Sequence, residues 1–388
     1  MKAKIIKTPA IVLAIIIVIA VFAISTRRQN VASYKKNDVT HLRIAHGLSN
    51  DHPVHIAMTD FAKIVEKKSA GKIVVTLYPS SQLGGERELI EQLQTGCMNM
   101  TKASAASLES FIPEMGVFGL PYIFDNSAHY WKTLDNPVFF NTINKYAGKV
   151  DLRVLCFYDA GSRNFYTKDD MVKSPADLKG KKIRVMSSKV AMDMVSAMGG
   201  TPTPIAWSEL YSSLEQGVVE GAENNPPSYL KSGHYTICRN FCFDSHTRVP
   251  DILMISKNDW DKLPADRKII VAEAALESSQ NQRKAWKIAT QKAIALMTIS
   301  KPAWDFLDQN DQQTLIKLAA TPGKLTLESL PKLEPKIYNK IKNKIDKKKC
   351  VTFYYPNNKP FQDAVKPLKK AYDGTTIGDL LKKIAEHK

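Results

Sequence analysis

Past its opening segment the chain alternates between two hydrophobic rhythms. Leu42-Arg43-Ile44-Ala45-His46 has the period of a strand. The next stretch places Ile56, Phe61, Ile64 and Val65 on one helical face and stops at Gly71. Residues 73–78 are a second strand, closed by Pro79-Ser80-Ser81. A helix then opens after Gly84-Gly85, with Glu86 and Glu88 in a first turn where the helix dipole favours acids, and residues 98–103 form a short strand. The pattern repeats downstream. Residues 153–158 and 182–186 read as strands, and 190–198 as a helix ended by Gly199-Gly200. Thr201-Pro202-Thr203-Pro204 reads as a turn before a helix over 208–216. Residues 252–256 read as a strand returning to the first unit. Residues 265–298 lack Pro and Gly and predict one long helix or two collinear ones. Strand–helix–strand units in series make the fold class α/β.

The first thirty residues break the rhythm. Lys2, Lys4 and Lys7 precede a nearly unbroken apolar run from Ala10 to Ile24, with Ala23 and Ser25 as a small-x-small cleavage signal. Residues 1–25 therefore read as a secretory signal peptide, with an uncleaved N-terminal anchor as the alternative because Arg27 and Arg28 follow so closely. Residues 26–40 are a polar leader, and no Cys follows the apolar run to carry a lipid.

Composition narrows the function classes. A chain of 388 residues, 44% hydrophobic and 24% charged, supports about two domains. The net charge of +17 raises the question of nucleic acid, but the lysines gather late, over 332–349 and 359–370, at helix-like spacing with no aromatic stacking pattern. A solvated basic surface is the expectation, and no nucleic-acid partner. Five cysteines are too few and odd in number for a disulfide framework. No phosphate loop, no G-x-S-x-G and no H-E-x-x-H occurs, so no enzyme, no cofactor and no metal site is expected.

The polar residues that stand out lie at strand ends. Arg163 follows the strand ending at Tyr158, Arg184 sits between Ile183 and Val185, and Asn224-Asn225 follows Gly221-Ala222-Glu223. Open α/β sheets collect ligands at such ends. A guanidinium forks onto a carboxylate in a way an ammonium does not copy, and Asn both donates to and accepts from hydroxyls. Each residue also has a plain structural reading. Arg163 would pair with Asp159 or Asp169, Arg184 would face outward on an edge strand, and Asn224-Asn225-Pro226 would be an ordinary turn.

Taken in order, these runs resemble the DctP-type solute-binding proteins of tripartite ATP-independent periplasmic (TRAP) transporters. The matching segments are Tyr78-Pro79-Ser80-Ser81-Gln82-Leu83-Gly84, Phe118-Gly119-Leu120-Pro121-Tyr122-Ile123-Phe124, Asp177-Leu178-Lys179-Gly180-Lys181-Lys182-Ile183-Arg184-Val185, Thr203-Pro204 before Glu209-Leu210-Tyr211, and Gly217-Val218-Val219-Glu220-Gly221-Ala222-Glu223-Asn224-Asn225-Pro226. The resemblance implies a two-lobed periplasmic binding protein of type II-like build, with a hinge and a long bracing helix. Lobe I would take residues 41–160 plus 249–292, and lobe II 161–248 plus 293–388. It implies a monomer that captures a small organic acid in the periplasm and delivers it to TRAP permease subunits. Arg184 matches the family's carboxylate clamp, Arg163 a second binding arginine, and Asn224 a polar contact beside Asn225. His46, Glu86 and Arg87 match cleft-facing positions, and Lys102, Met186, Tyr229 and His246 are further candidates. The Arg163-Asn164-Phe165-Tyr166 and Glu223-Asn224-Asn225 runs, with His246-Thr247-Arg248-Val249-Pro250, are similar to the branch that takes uronates and other sugar acids. The alternatives are a dicarboxylate or sialate-type ligand, or a binding protein that feeds a sensor.

Overall fold

The computed structural model describes residues 39–387. The signal-peptide or anchor reading of residues 1–25 lies outside the described residues, as does all but the end of the leader. Among the described residues no helix is long and apolar enough to cross a membrane.

Two sheets organise the chain. The first has the order β2-β1-β3-β10-β4, formed by β1 (Thr40–Ala45), β2 (Ile73–Tyr78), β3 (Met100–Ser104), β4 (Leu152–Tyr158) and β10 (Asp251–Ser256). β1 runs parallel to β2 and β3, and β10 enters antiparallel between β3 and β4. All six residues of β10 are buried, as a central strand covered on both faces requires. The second sheet has the order β11-β9-β5-β8-β6-β7, formed by β5 (Asn164–Thr167), β6 (Lys182–Val185), β7 (Thr201–Pro204), β8 (Gly221–Asn224), β9 (Asn240–Cys242) and β11 (Thr352–Tyr354). Apolar clusters lie on both faces of each sheet. The result is the two-lobed α/β build that the sequence pattern and the resemblance imply.

β7 corrects the turn expected over Thr201-Pro202-Thr203-Pro204. It is an edge strand, parallel to β6, with Pro202 opposite Ile183 and Pro204 opposite Val185. Proline lacks a ladder donor, and a strand with a partner on one side only tolerates that loss.

The chain passes between the halves at residues 159–163 and again at 243–250, where Arg163 and Thr247 form an isolated antiparallel bridge. The long helix Ala265–Ile299, 35 residues and so about 50 Å by its rise per residue, braces both halves. Its Val271, Ala274, Ala275 and Trp286 pack with the first sheet, and its Ala293–Ile299 stretch with the second. Gln282 pins the first crossing to this helix: its amide accepts from the Asp159 N–H at 2.8 Å and donates to the Asp159 carbonyl at 2.8 Å. Gly161 beside it has φ +62°, and a Cβ there would meet the Trp286 indole nitrogen at 2.9 Å, so only glycine fits.

The C-terminal segment departs from the lobe boundaries expected for it. Phe361 and Val365 do join a core of the second half. The helix Thr376–Glu386 instead buries Ile377, Leu380 and Ile384 among Phe118 and Tyr130 of the first half. His129 Nε2 meets the Ile384 carbonyl at 2.8 Å. The apolar stripe of this helix finds its complement across the molecule, so the tail makes a fourth crossing, after the two loops and the long helix.

Side chains also join the halves directly. Lys231 donates to Asp51 at 2.6 Å, and His52 meets the Ser228 hydroxyl at 3.1 Å. Glu109 accepts from the Ser188 hydroxyl and from the Val190 N–H at 3.2 Å, at the start of the helix Lys189–Ala197.

Candidate functional site

Between the halves lies a cavity of about 190 Å³. At roughly 15 Å³ per water-sized group it holds on the order of a dozen such groups, the scale of a monosaccharide. Arg163, Arg184, Asn224, Asn225, Glu86, Arg87, Lys102 and Met186 all line it.

Arg184 is placed by β6, which lies inside the sheet between β7 and β8 rather than at an edge. The outward-facing reading therefore fails, and the side chain is 2% exposed. Its Nε donates to the Ile205 carbonyl at 2.8 Å, while its buried Nη1 has no hydrogen-bond partner among the described residues. Burial pulls the guanidinium below the ordinary arginine pKa, with the Tyr166 and Glu223 oxygens opposing. Ile205 leads directly into the helix Trp207–Glu215, whose N-cap Ala206 has no side-chain oxygen to offer its first N–H groups. An unmatched guanidinium beside a helix N-terminus is a setting for an anion.

Arg163 is held differently. Its Nε and Nη2 fork onto the Glu223 carboxylate, with Nη2 2.8 Å from Oε1, and its Nη1 donates to Asn224 Oδ1 at 3.2 Å. Neither Asp159 nor Asp169 is its partner. Burial opposes the arginine charge, but Glu223 outweighs it and holds Arg163 above its ordinary pKa. Burial would likewise raise Glu223, yet Arg163 and then His246 hold it at about 2. His246 bonds Asp244 at 2.7 Å and Glu223 at 3.4 Å. Burial again opposes its charge, and these two carboxylates lift it to about 9. Arg163, Glu223, His246 and Asp244 thus form a charge-balanced row, with His246 behind the cavity wall rather than in it.

The opposite wall comes from the first half. Lys102 on β3 donates to Glu86 at 2.9 Å and to Asp251 at 2.9 Å. Glu86 also accepts from the Ser107 hydroxyl at 2.6 Å and the Ser104 N–H at 3.2 Å. Burial would raise the Glu86 carboxyl, but Lys102 and these donors hold it down, whereas burial leaves Asp251 raised. Asp251 and Ser104 are register partners at the cleft ends of β10 and β3.

The other candidates sit elsewhere or act locally. Arg87 reaches the cavity rim but pairs with Glu91 at 3.2 Å. Asn225 caps the helix Pro226–Lys231 by accepting from the Ser228 N–H at 2.8 Å, so the turn reading holds in part. His46 lies under the wall, accepting from the Leu48 N–H at 3.1 Å and meeting His55 at 3.0 Å; burial, then Lys102, push it to about 2. Tyr229 is buried against Tyr166 and Phe241 and donates to the Cys238 carbonyl. His46, Tyr229 and His246 are outside the cavity lining. Among the described residues the cysteines are unpaired and, Cys97 apart, buried.

Sequence reading missed Asp251, Ser104, Ser107 and Trp207, all of which line the cavity. Asp251 had a signal, being an acid directly before the apolar run Ile252-Leu253-Met254-Ile255. Ser104 and Ser107 had none.

The family described as bacterial extracellular solute-binding protein, family 7 (DctP), matches residues 44–297. The chain belongs to that family. It is 35% identical over 342 residues to the uncharacterized protein YiiZ of Salmonella typhimurium, covering 88% of this chain and 89% of that protein. It superposes with a TM-score of 0.72 and 30% identity on a TRAP periplasmic solute-binding protein of Anaerococcus prevotii with bound D-glucuronate, covering 89% of this chain and 98% of that one. A TRAP solute-binding protein of Bradyrhizobium in complex with D-galacturonate gives a TM-score of 0.72 at 29% identity, over 89% and 99% of the two chains. The DctP membership and its TRAP setting agree with the sequence resemblance.

Proposed function

We propose that this DctP-family protein captures a uronate monosaccharide outside the cytoplasm and delivers it to a TRAP permease. The observation that carries the ligand is the unpartnered Nη1 of buried Arg184. Arg87, Lys102 and Arg163 also line the cavity, but each has a protein carboxylate. One leftover positive charge calls for one ligand carboxylate. Lys102, Glu86, Asp251 and Asn224 then face the sugar hydroxyls with both donors and acceptors. The glucuronate and galacturonate held by the two similar structures support the same choice. A dicarboxylate, the ligand named for the 29% identical DctP of Rhodobacter capsulatus, would bring a second anionic group for which the cavity has no free cation among the described residues.

Because the two walls belong to different halves, a ligand that touches both stabilises the conformation in which the halves meet. Calorimetric titration of the purified chain with glucuronate, galacturonate, succinate and sialate tests the proposal. Binding of a uronate alone is expected. Binding of succinate or sialate in its place would overturn the ligand assignment.

A further inference from the structure

The cleft continues beyond the cavity at Arg184. Past a wall made by Gly47 and Ser81 from one half and Trp207 from the other lies a second, more open cavity of about 280 Å³. The wall is tightly closed: a Cβ on Gly47 would stand 3.2 Å from the Ser81 hydroxyl and 3.7 Å from the Trp207 ring. Its parts belong to opposite halves, so it separates when the halves move apart and the two cavities become one trough. Ser80 and Ser81 hold left-handed backbone, φ +55° and +57°, unusual for residues bearing a Cβ. Their N–H groups bond the Leu48 and His46 carbonyls at 2.9 and 3.1 Å, which fixes this strained turn at the border of the cavities.

The linings differ in charge. The first cavity has the unmatched Arg184. In the second, Lys231 is taken by Asp51 at 2.6 Å. Burial holds His52 and His234 at about 3, so both rings are neutral at ordinary pH. What remains are the hydroxyls of Ser80 and Ser208, the acceptor lone pairs of Ser49 and Ser232, and the ring of Tyr211, with Trp207 at the border. Hydroxyls beside amphipathic rings, without a free charge, suit an uncharged pyranose.

We propose that the second cavity is a neutral-sugar subsite, so that the cleft accepts a disaccharide acid with its uronate on Arg184 and its uncharged pyranose against Tyr211. This rests on the uronate reading above. Such a ligand is laid into the open trough from the side and needs no threading past Trp207.

The test is calorimetric titration of the full chain with glucuronate, with cellobiouronic acid (glucuronate joined to glucose) and with cellobiose. The wild-type chain should bind cellobiouronic acid about ten-fold more tightly than glucuronate, and cellobiose not at all. Ser232→Trp, which fills the second cavity from a residue outside the first, should remove that preference and leave glucuronate within about two-fold. Tyr211→Ala should weaken the disaccharide selectively. Glucuronate bound while cellobiouronic acid is refused would overturn the subsite and leave the uronate reading standing. Refusal of both acids by folded protein would overturn both. Equal losses for both acids in Ser232→Trp would show that the residue acts through the fold, and would also overturn the subsite.

Discussion

Compared with the β3–β10 wall, where Lys102 lies between Glu86 and Asp251, the β5–β6–β8 wall carries one positive charge more than its carboxylates engage. There Arg163 and His246 answer to Glu223 and Asp244, while Arg184 contacts neither. A count of basic residues around the cleft would suggest a polyanion. Tracing which of them are already engaged leaves one, Arg184, on which the proposed ligand assignment rests. On the proposed function, the first wall reads hydroxyls and the second fixes a carboxylate.

The comparison is broken most directly at Arg184. Arg184→Met should lower uronate affinity by at least about 100-fold, since charge-assisted hydrogen bonds and an ion pair vanish together. Arg184→Lys should recover little of it, because an ammonium lacks the fork. Calorimetric affinity close to wild type in either variant would move the carboxylate to the other wall.

Glu223→Gln should cost about 3 kcal/mol of stability, read by urea unfolding, because it strands a buried guanidinium. The same variant makes Arg163 a second unmatched charge. Succinate should then bind where wild type rejects it, and continued rejection would show that charge balance does not set the selectivity.

Lys102→Met should weaken uronate binding by roughly ten-fold, as Glu86 and Asp251 lose their shared cation and repel an anion. An unchanged affinity would mean that the first wall reads the sugar without Lys102.

Stability should also report the two walls through pH. His246 is raised to about 9, so its contribution is complete below about pH 6.5 and is lost as pH climbs through 9. Glu223 is depressed to about 2, so its contribution is present above about pH 4.5 and is lost as pH falls towards 2. His46, His52 and His234, buried and neutral, add a loss that begins as pH falls below about 6.5. Thermal melts across pH should decline on both sides, and His246→Gln should flatten the alkaline side. The smallest effect belongs to Lys231→Ala. The pair with Asp51 is half in solvent, so affinity should change by less than about five-fold, and less again at high salt.

Much of this was legible in the sequence, for physical reasons that vary by residue. β1 shows through its alternation because burial imposes it, and the long helix through its lack of Pro and Gly. Arg184 stands out because a charge between two apolar strand residues needs an explanation. β7 was not legible, since two prolines signal a turn unless the edge position of the strand is known. The balanced row behind Arg163 was equally hidden: Glu223 and His246 are 23 positions apart, and a strand pairing across the sheet brings them together. The return of the tail helix to the first half was invisible, because its apolar stripe fits either core.

The contacts made directly between the halves have a separate consequence. Contacts outside both cavities, such as Glu109–Ser188, favour the joined arrangement equally for every solute. Strengthening one multiplies all affinities by a common factor and leaves their ratios alone. Retention time and discrimination are therefore independent dials in this molecule, and a lineage exposed to scarcer solute can turn the first without disturbing the second.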